Sequence, residues 1–497
     1  FLNTLEQQVY TDFSVQFIAV KPSELIAYTL GKIAAADDRF SFETHIEIPQ
    51  NHLQSDKDFL FFTNLNSLLT PECLYTFVDH INKYPSVDFI YSDHDFVSKN
   101  EGAITENPYF KPSWSPHTLL SRNYIGETFM VSSVCYNKQP LQSYVNMYSM
   151  VLNLTDSARK VGHVPQVLYH YNAPTLTSEK IKKNHQVLNR FMAVKYPKSF
   201  AKLSSTALGC FCPVFKFTDK PLVSIIIPAK NKGAVLETCL NSIIESIKYP
   251  NYEIIIIDNG STEKSFFSSV AQYEFNYPNK IKCYSLDIPF NYAVINNHAV
   301  QYAKGDYLLF LNNDTKVISP NLVDEMLKVA IQENVGVVGP KLLYPNNTIQ
   351  HAGIVLSIDE TGAHVYSGAH RDTSGYFNNV NCLTNYSAVT GACMMIQKNK
   401  FELAGGFDEN LAVDCNDVEL CCKLMALGYF NVYIPWVSMY HHECLTRGNP
   451  MLSAHSMIRQ SNEKAYFLKK WGDKIVNDPF YNRNLSRTSK YFDLKDV

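Results

Sequence analysis

The stretch Tyr307-Leu308-Leu309-Phe310-Leu311-Asn312-Asn313-Asp314 constrains this chain more than any other. An apolar run of strand length stops on polar residues that end in an acid. A buried strand delivering a carboxylate at its C-terminal end is how open α/β sheets present groups to a ligand. One or two such carboxylates, acting with substrate phosphates, also hold a hard divalent ion. Asn and Asp favour turns by themselves, so a strand running into a plain turn explains the same residues until the neighbouring segments are read.

Those neighbours alternate between strand and helix patterns. Residues 222–227 form a β-branched run ended by Pro228, as expected of a buried parallel strand. Residues 234–247 place apolar side chains at helical spacing. A second buried strand over 253–257 stops at Asp258-Asn259-Gly260-Ser261, and residues 282–286 read as a third. A helix around 291–304 leads into the 307–311 strand. The alternation predicts an α/β fold with a mostly parallel sheet and right-handed crossovers, a Rossmann-like nucleotide-binding half. The first 195 residues repeat the plan faintly, with a helix over 1–9 and strands over 13–20 and 59–62. The run from Thr63 to Pro71 matches that from Asn312 to Pro320 in its polar tip, its apolar pair and the Pro that opens a helix. The expected organisation is a first domain over 1–195, a linker over 196–220, a second domain over 221–475 and a tail over 476–497.

Composition narrows the function classes. A chain of 497 residues needs two or three cores. With 46% apolar and 18% charged residues it is globular, and a net charge of −3 gives nucleic acid no electrostatic support. The 12 cysteines lack zinc-finger spacing and suit free, buried thiols in a reducing cytosol. No apolar run is long enough to span a bilayer, and no signal peptide is recognisable. The start at Phe1, inside a helical pattern, points to a truncated or processed N-terminus.

Four segments of the second domain carry candidate chemistry, and each has a plainer explanation. Asp258 ends a strand where a base or ribose is gripped, though an Asn-Gly turn uses the same residues. Asn312-Asn313-Asp314 supplies a metal-type carboxylate. Asp417 and Glu419 open an amphipathic helix; acids there are helix-dipole partners or, within reach of an acceptor hydroxyl, general bases. His441-His442 follows a strand and can give one imidazole to a divalent ion, or be structural.

Taken in order, these segments resemble the family 2 glycosyltransferases of bacterial polysaccharide and O-antigen synthesis, which have the GT-A fold. The residues that carry the resemblance are Pro221 to Asn231, Ile257 to Thr262, Pro289 to Asn297 and Leu311 to Thr315. They continue with Gln350 to Gly353, Gly405 to Glu409, Asn416 to Leu420 and Tyr440 to Glu443. The resemblance implies that Asp417 is the catalytic base and that Pro228, Asn231, Asp258, Asn291 and Asn313 face the nucleotide-sugar. It gives Asp314 and one of His441 and His442 to a divalent metal, Mn²⁺ or Mg²⁺. Asn312, in place of the first acid of the metal motif, joins Glu419 and Gly391 as secondary candidates. The implied reaction is a single inverting displacement from a UDP- or dTDP-sugar to a growing cell-surface glycan.

The first domain resembles the same family through Asp88 to Asp95, Pro108 to Pro116, Asn123 to Gly126 and His163 to His170. It departs where chemistry would sit: Asn64 and Asn66 replace the metal-motif acids, and Ser149 aligns with the base. Amides and hydroxyls neither neutralise an ion nor act as bases near neutral pH. The expectation is two tandem GT-A domains, the first truncated, degenerate and silent. Its partners would be a nucleotide-sugar donor and a glycan acceptor, with a lipid-linked acceptor, peripheral attachment at the inner face of the cell membrane and a homo-oligomer all open. The competing class is a non-catalytic glycan-binding or assembly protein built on lapsed domains.

Overall fold

A computed structural model describes residues 2–20, 24–45, 59–97, 106–138, 146–172, 177–207, 209–217, 219–359, 361–443 and 454–495. The chain forms two units, residues 1–114 with 123–197, and residues 115–122 with 198–497.

In the first unit, β1 (Val15–Val20) and β2 (Phe40–His45) pair in parallel apart from the main sheet. The main sheet contains β3 (Phe59–Phe62), β4 (Ser67–Leu69), β5 (Phe89–Phe96), β6 (Glu106–Tyr109), β7 (Phe129–Ser132) and β8 (Val161–Tyr171). Its order is β3-β7-β5-β8-β4, with β6 on β5. Among the described residues β5 and β8 of this sheet run parallel and its other pairs are antiparallel.

Residues 196–220, expected as a linker, contain β9 (Phe200–Ala207) and β10 (Cys210–Phe215), paired antiparallel. Ser204 and Ser205, which suggest a linker, lie on the more exposed strand, while β10 is mostly buried. The short helix Pro116–Ser121 belongs to the second unit although its sequence lies within the first. Ser121 Oγ donates to Phe211 O at 2.7 Å, and Asn385 Oδ1 accepts from His117 N at 3.0 Å.

The second unit contains β11 (Val223–Ala229), β12 (Tyr252–Asp258), β13 (Ile281–Ser285), β14 (Tyr307–Leu311), β15 (Thr315–Val317), β16 (Val335–Leu343) and β17 (Ile349–His351). A separate ribbon joins β18 (Ile354–Val355) to β19 (Ala363–His364), and β20 (Thr384–Tyr386), β21 (Cys393–Gln397) and β22 (Phe430–His441) complete the set. The sheet order is β13-β12-β11-β14-β21-β16-β22-β15, with β17 on β16 and β20 on β22. The first four strands are parallel, as the alternation predicts.

These central strands are apolar throughout because both faces are covered. Ile225, Ile227, Leu309 and Leu311 enter one core, and Ile226, Leu308 and Phe310 enter the other. That is the period of two expected of a pleated strand. Burying each such side chain contributes about 1.5–3 kcal/mol. The backbone hydrogen bonds of these strands are satisfied inside the sheet, which leaves strand ends, among them the C-terminal tips of β11, β12 and β14, to meet a ligand. The strand order reverses between β11 and β14, and such a switch point opens a crevice at the tips.

Candidate active site at the strand tips

The tips of β11 and β12 are stitched together. Asn231 Oδ1 accepts from Thr262 N at 2.7 Å and Glu263 N at 3.1 Å, while Asn231 N donates to Ser261 Oγ at 2.7 Å. Asp258 is buried at the end of β12 and accepts from Ser261 N at 2.8 Å. Gly260 has φ of +74°, and a Cβ there would meet Asp287 Oδ1 at 2.1 Å. Only glycine lets Asp287 approach so closely. Asn231 and Lys232 also have positive φ, 54° and 52°, so the turn after β11 is held in a sparsely populated conformation. Pro228 lies on β11 opposite Ile257.

At the tip of β14, Asn312, Asn313 and Asp314 form the turn into β15. Asp314 is buried, and its Oδ1 lies 3.2 Å from His441 Nε2. His441 Nδ1 lies 2.7 Å from Gln350 Oε1, so Nδ1 carries the proton and donates. His441 Nε2 then faces Asp314 and the Asn312 amide, the latter 3.3 Å away. His442 meets the same aspartate only through its backbone, its N donating to Asp314 O at 2.9 Å. The two histidines thus differ in how they meet Asp314, His441 through its ring and His442 through its backbone. Among the described residues no group of three His, Cys, Asp or Glu could hold a metal alone. One carboxylate, one imidazole and an amide, with the remaining positions left to phosphate oxygens and water, nevertheless fit a hard divalent ion.

Asp417 lies in the first turn of the helix Asn416–Ala426. Its Oδ2 accepts from Gly391 N at 2.7 Å and its Oδ1 from Val418 N at 2.8 Å. Gly391 is pinned from the other side, its O accepting from Tyr292 OH at 2.9 Å. A Cβ at Gly391 would stand 3.1 Å from that hydroxyl and 3.3 Å from Asp417 Cβ. The next residue, Ala392, accepts from Asn312 N at 3.1 Å. Consecutive residues thus tie Asp417 to the Asn312 turn. Cys415, just before the helix, has φ of 62°, another strained non-glycine residue beside the site.

Two candidates take structural positions. Glu419 is fully buried and pairs with Lys470 Nζ at 2.6 Å and Lys423 Nζ at 3.0 Å. With both oxygens engaged by ammonium groups, it is an ion-pair centre and not an exposed base. Asn291 caps its helix, accepting from Val294 N at 3.1 Å, and its Nδ2 donates to Glu409 O at 2.8 Å. Asn313 is buried within the turn.

Sequence reasoning gave no role to Gln350, Tyr292, Asp287 or His364. Gln350 comes from β17, and only the pairing of β17 with β16 carries it toward His441. His364 Nδ1 lies 3.2 Å from His351 Nδ1. Burial holds both imidazoles below their usual pKa; at His364 the fields of Asp417 and Glu443 partly offset it.

Residues 224–402 match the family model described as "Glycosyl transferase family 2". That segment is similar to the family 2 glycosyltransferases. The strand tips, from Asn231 through Asp314 to Gly391, lie within the matched segment. The chain is 32% identical over 440 residues to the uncharacterized protein y4gI of Sinorhizobium fredii, covering 85% of this chain and 48% of that one. It is 29% identical over 451 residues to the O-antigen biosynthesis protein RfbC of Myxococcus xanthus, covering 87% of this chain and 34% of that one. The chain therefore spans half or less of the length of these relatives. Among solved structures, it is similar to the mannosyltransferase PcManGT of Pyrobaculum calidifontis in complex with GDP-Man and Mn²⁺. That similarity is 18% identity over 52% of this chain and 65% of that one, with a TM-score of 0.39, too low to transfer anything from the complex.

Proposed function

We propose that this chain transfers a sugar, with inversion, from a UDP- or dTDP-linked donor to a growing cell-surface glycan. The observation that carries this reading is the Gly391–Ala392 link, which brings Asp417 beside the turn bearing Asp314. A nucleotide diphosphate and an attacking hydroxyl need those groups as neighbours.

Asp314 and His441, with the Asn312 amide, would hold Mn²⁺ or Mg²⁺, and Gln350 fixes which imidazole nitrogen faces it. When bound, the ion offsets charge developing on the leaving diphosphate. Asp258 accepts hydrogen bonds from the base or ribose, and the Pro228–Asn231 turn and Asn313 shape the donor side, with Asn291 acting through the helix start that it caps. The Gly391 N–H fixes the Asp417 rotamer while leaving each carboxylate oxygen a further lone pair. Asp417 takes the proton of the acceptor hydroxyl as that oxygen bonds to the anomeric carbon and the bond to the diphosphate breaks. Inversion follows from a single displacement.

We place the reaction on the cytoplasmic side, with a lipid-linked acceptor drawing the chain to the inner membrane face. Among the described residues no helix is long and apolar enough to cross a membrane. The first unit, in this reading, is a degenerate copy of the second and does no chemistry. The test is turnover of a UDP- and dTDP-sugar panel in Mn²⁺, Mg²⁺ and EDTA. Metal-dependent turnover of at least one donor is expected. Silence toward the whole panel in both ions would leave the chain a non-catalytic glycan-binding or assembly protein.

A further inference from the structure

The two main sheets share one strand path, and register gives the correspondence residue by residue. In the second unit β15 pairs Thr315 with His441 and Val317 with Met439. In the first, β4 pairs Ser67 with Tyr171 and Leu69 with Tyr169. Ser67 therefore answers to Thr315, Asn66 to Asp314, Asn64 to Asn312 and Tyr171 to His441.

At that corner the first unit has its own cation. Lys180 Nζ lies 2.6 Å from Glu127 Oε1 and 3.3 Å from the Tyr171 hydroxyl. The other carboxylate oxygen, Glu127 Oε2, accepts from Asn64 Nδ2 at 2.6 Å and from Tyr171 OH at 3.2 Å. Burial alone would lower the Lys180 pKa, but Glu127 and Tyr171 more than offset it and the net shift is upward, so the side chain is an ammonium at neutral pH. The Lys180–Glu127 ion pair thus joins Tyr171 to Asn64, the counterparts of His441 and Asn312.

A pocket of about 340 Å³ opens on this cluster, lined by Glu127, Lys180, Glu179, Lys183, Asn146 and Asn184 among others. The volume lies at the lower end of the range for small-ligand sites. Its charges cancel in pairs, Lys180 with Glu127 and Lys183 Nζ with Glu179 at 2.8 Å. A lining with no net charge gives a phosphate no advantage. Paired carboxylates and ammoniums, with the Asn146 amide donating to Asn184 Oδ1 at 3.1 Å, instead present donors and acceptors side by side. Vicinal hydroxyls, each both donor and acceptor, match that alternation.

We propose that this pocket of the first unit is a metal-independent binding site for a neutral saccharide. The choice of a saccharide over another neutral polar ligand rests on the proposed function. The site would hold the glycan while the second unit acts on it.

The test is an array of neutral and anionic oligosaccharides probed with the labelled 497-residue chain in EDTA. Binding of neutral members is expected, unchanged by Asp314→Ala. It should weaken at least tenfold in Asn184→Ala and in the charge-neutral double variant Glu127→Gln with Lys180→Met. The Asn184→Ala variant removes a pocket side chain without exposing core, so loss there does not require misfolding, and donor turnover should be unchanged. No neutral binding in EDTA, preference for anionic members, or binding indifferent to both variants would overturn the proposal. Donor turnover is read separately: turnover without saccharide binding sinks only this proposal, and binding without turnover sinks only the enzymatic reading.

Discussion

The first unit's path β3-β7-β5-β8-β4 and the second unit's path β14-β21-β16-β22-β15 run in the same order with the same strand senses. What differs is the chemistry at matching positions. The second unit has Asp314, His441 and a helix opening on Asp417; the first has Asn66, Tyr171 and a helix, Met147–Ser157, with no acid in its first turn. By helix start, Tyr148 lies opposite Asp417, and the neighbouring Ser149 supplies no carboxylate either. A strand frame is held by apolar residues spread along its length, so it tolerates exchange of a few tip residues. A catalytic site depends on those few.

The comparison can be broken most sharply at Asp417. Asp417→Asn keeps the size of the side chain and removes its basicity, so kcat should fall by about 10²–10⁴-fold while donor binding persists. If donor affinity collapses instead, Asp417 binds and does not abstract. A smaller effect is expected at Gln350. Gln350→Ala frees the His441 ring, and metal affinity measured by Mn²⁺ titration should weaken about 10–100-fold. An unchanged titration would detach His441 from the metal.

The smallest effect lies in the first unit. There, hydrogen bonds from Arg159 hold the buried Asp88 carboxyl below its usual pKa, with Nη2 at 2.7 Å and Nε at 2.8 Å. A carboxyl with a depressed folded-state pKa stabilises the fold above its unfolded value, and that support is lost as pH falls through the folded value. Arg159→Ala should raise the pH at which the first unit unfolds in acid, followed by circular dichroism, and leave donor turnover at neutral pH unchanged. A fall in neutral-pH turnover would show that the first unit's integrity matters to the second unit's chemistry.

Much of the second unit was legible in sequence because its strands are buried on both faces, and continuous runs such as Ile225-Ile226-Ile227 leave little choice. The strand ends then located Asp258 and Asp314. That His441 meets Asp314 through its ring and His442 through its backbone was not legible, because it depends on the pairing of Thr315 with His441 at the end of β22. Gln350 reaches the site through the long-range pairing of β17 with β16, which no local pattern encodes. The grouping of the helix Pro116–Ser121 with the second unit is equally invisible locally, because its partners, Phe211 and Asn385, lie far away in sequence. Glu419 looked like Asp417 in sequence, and only Lys470 and Lys423 distinguish it.

The most direct test of the asymmetry between the units is metal-stimulated donor turnover in two variants of the 497-residue chain, Asp314→Ala and Asn66→Ala, which change matching positions of the two sheets. Asp314→Ala should lose turnover in a folded protein, and Asn66→Ala should retain it within about twofold, since an amide supplies no charge to an ion. Equal loss in both variants, or loss in Asn66→Ala alone, would contradict the assignment of the chemistry to the second unit.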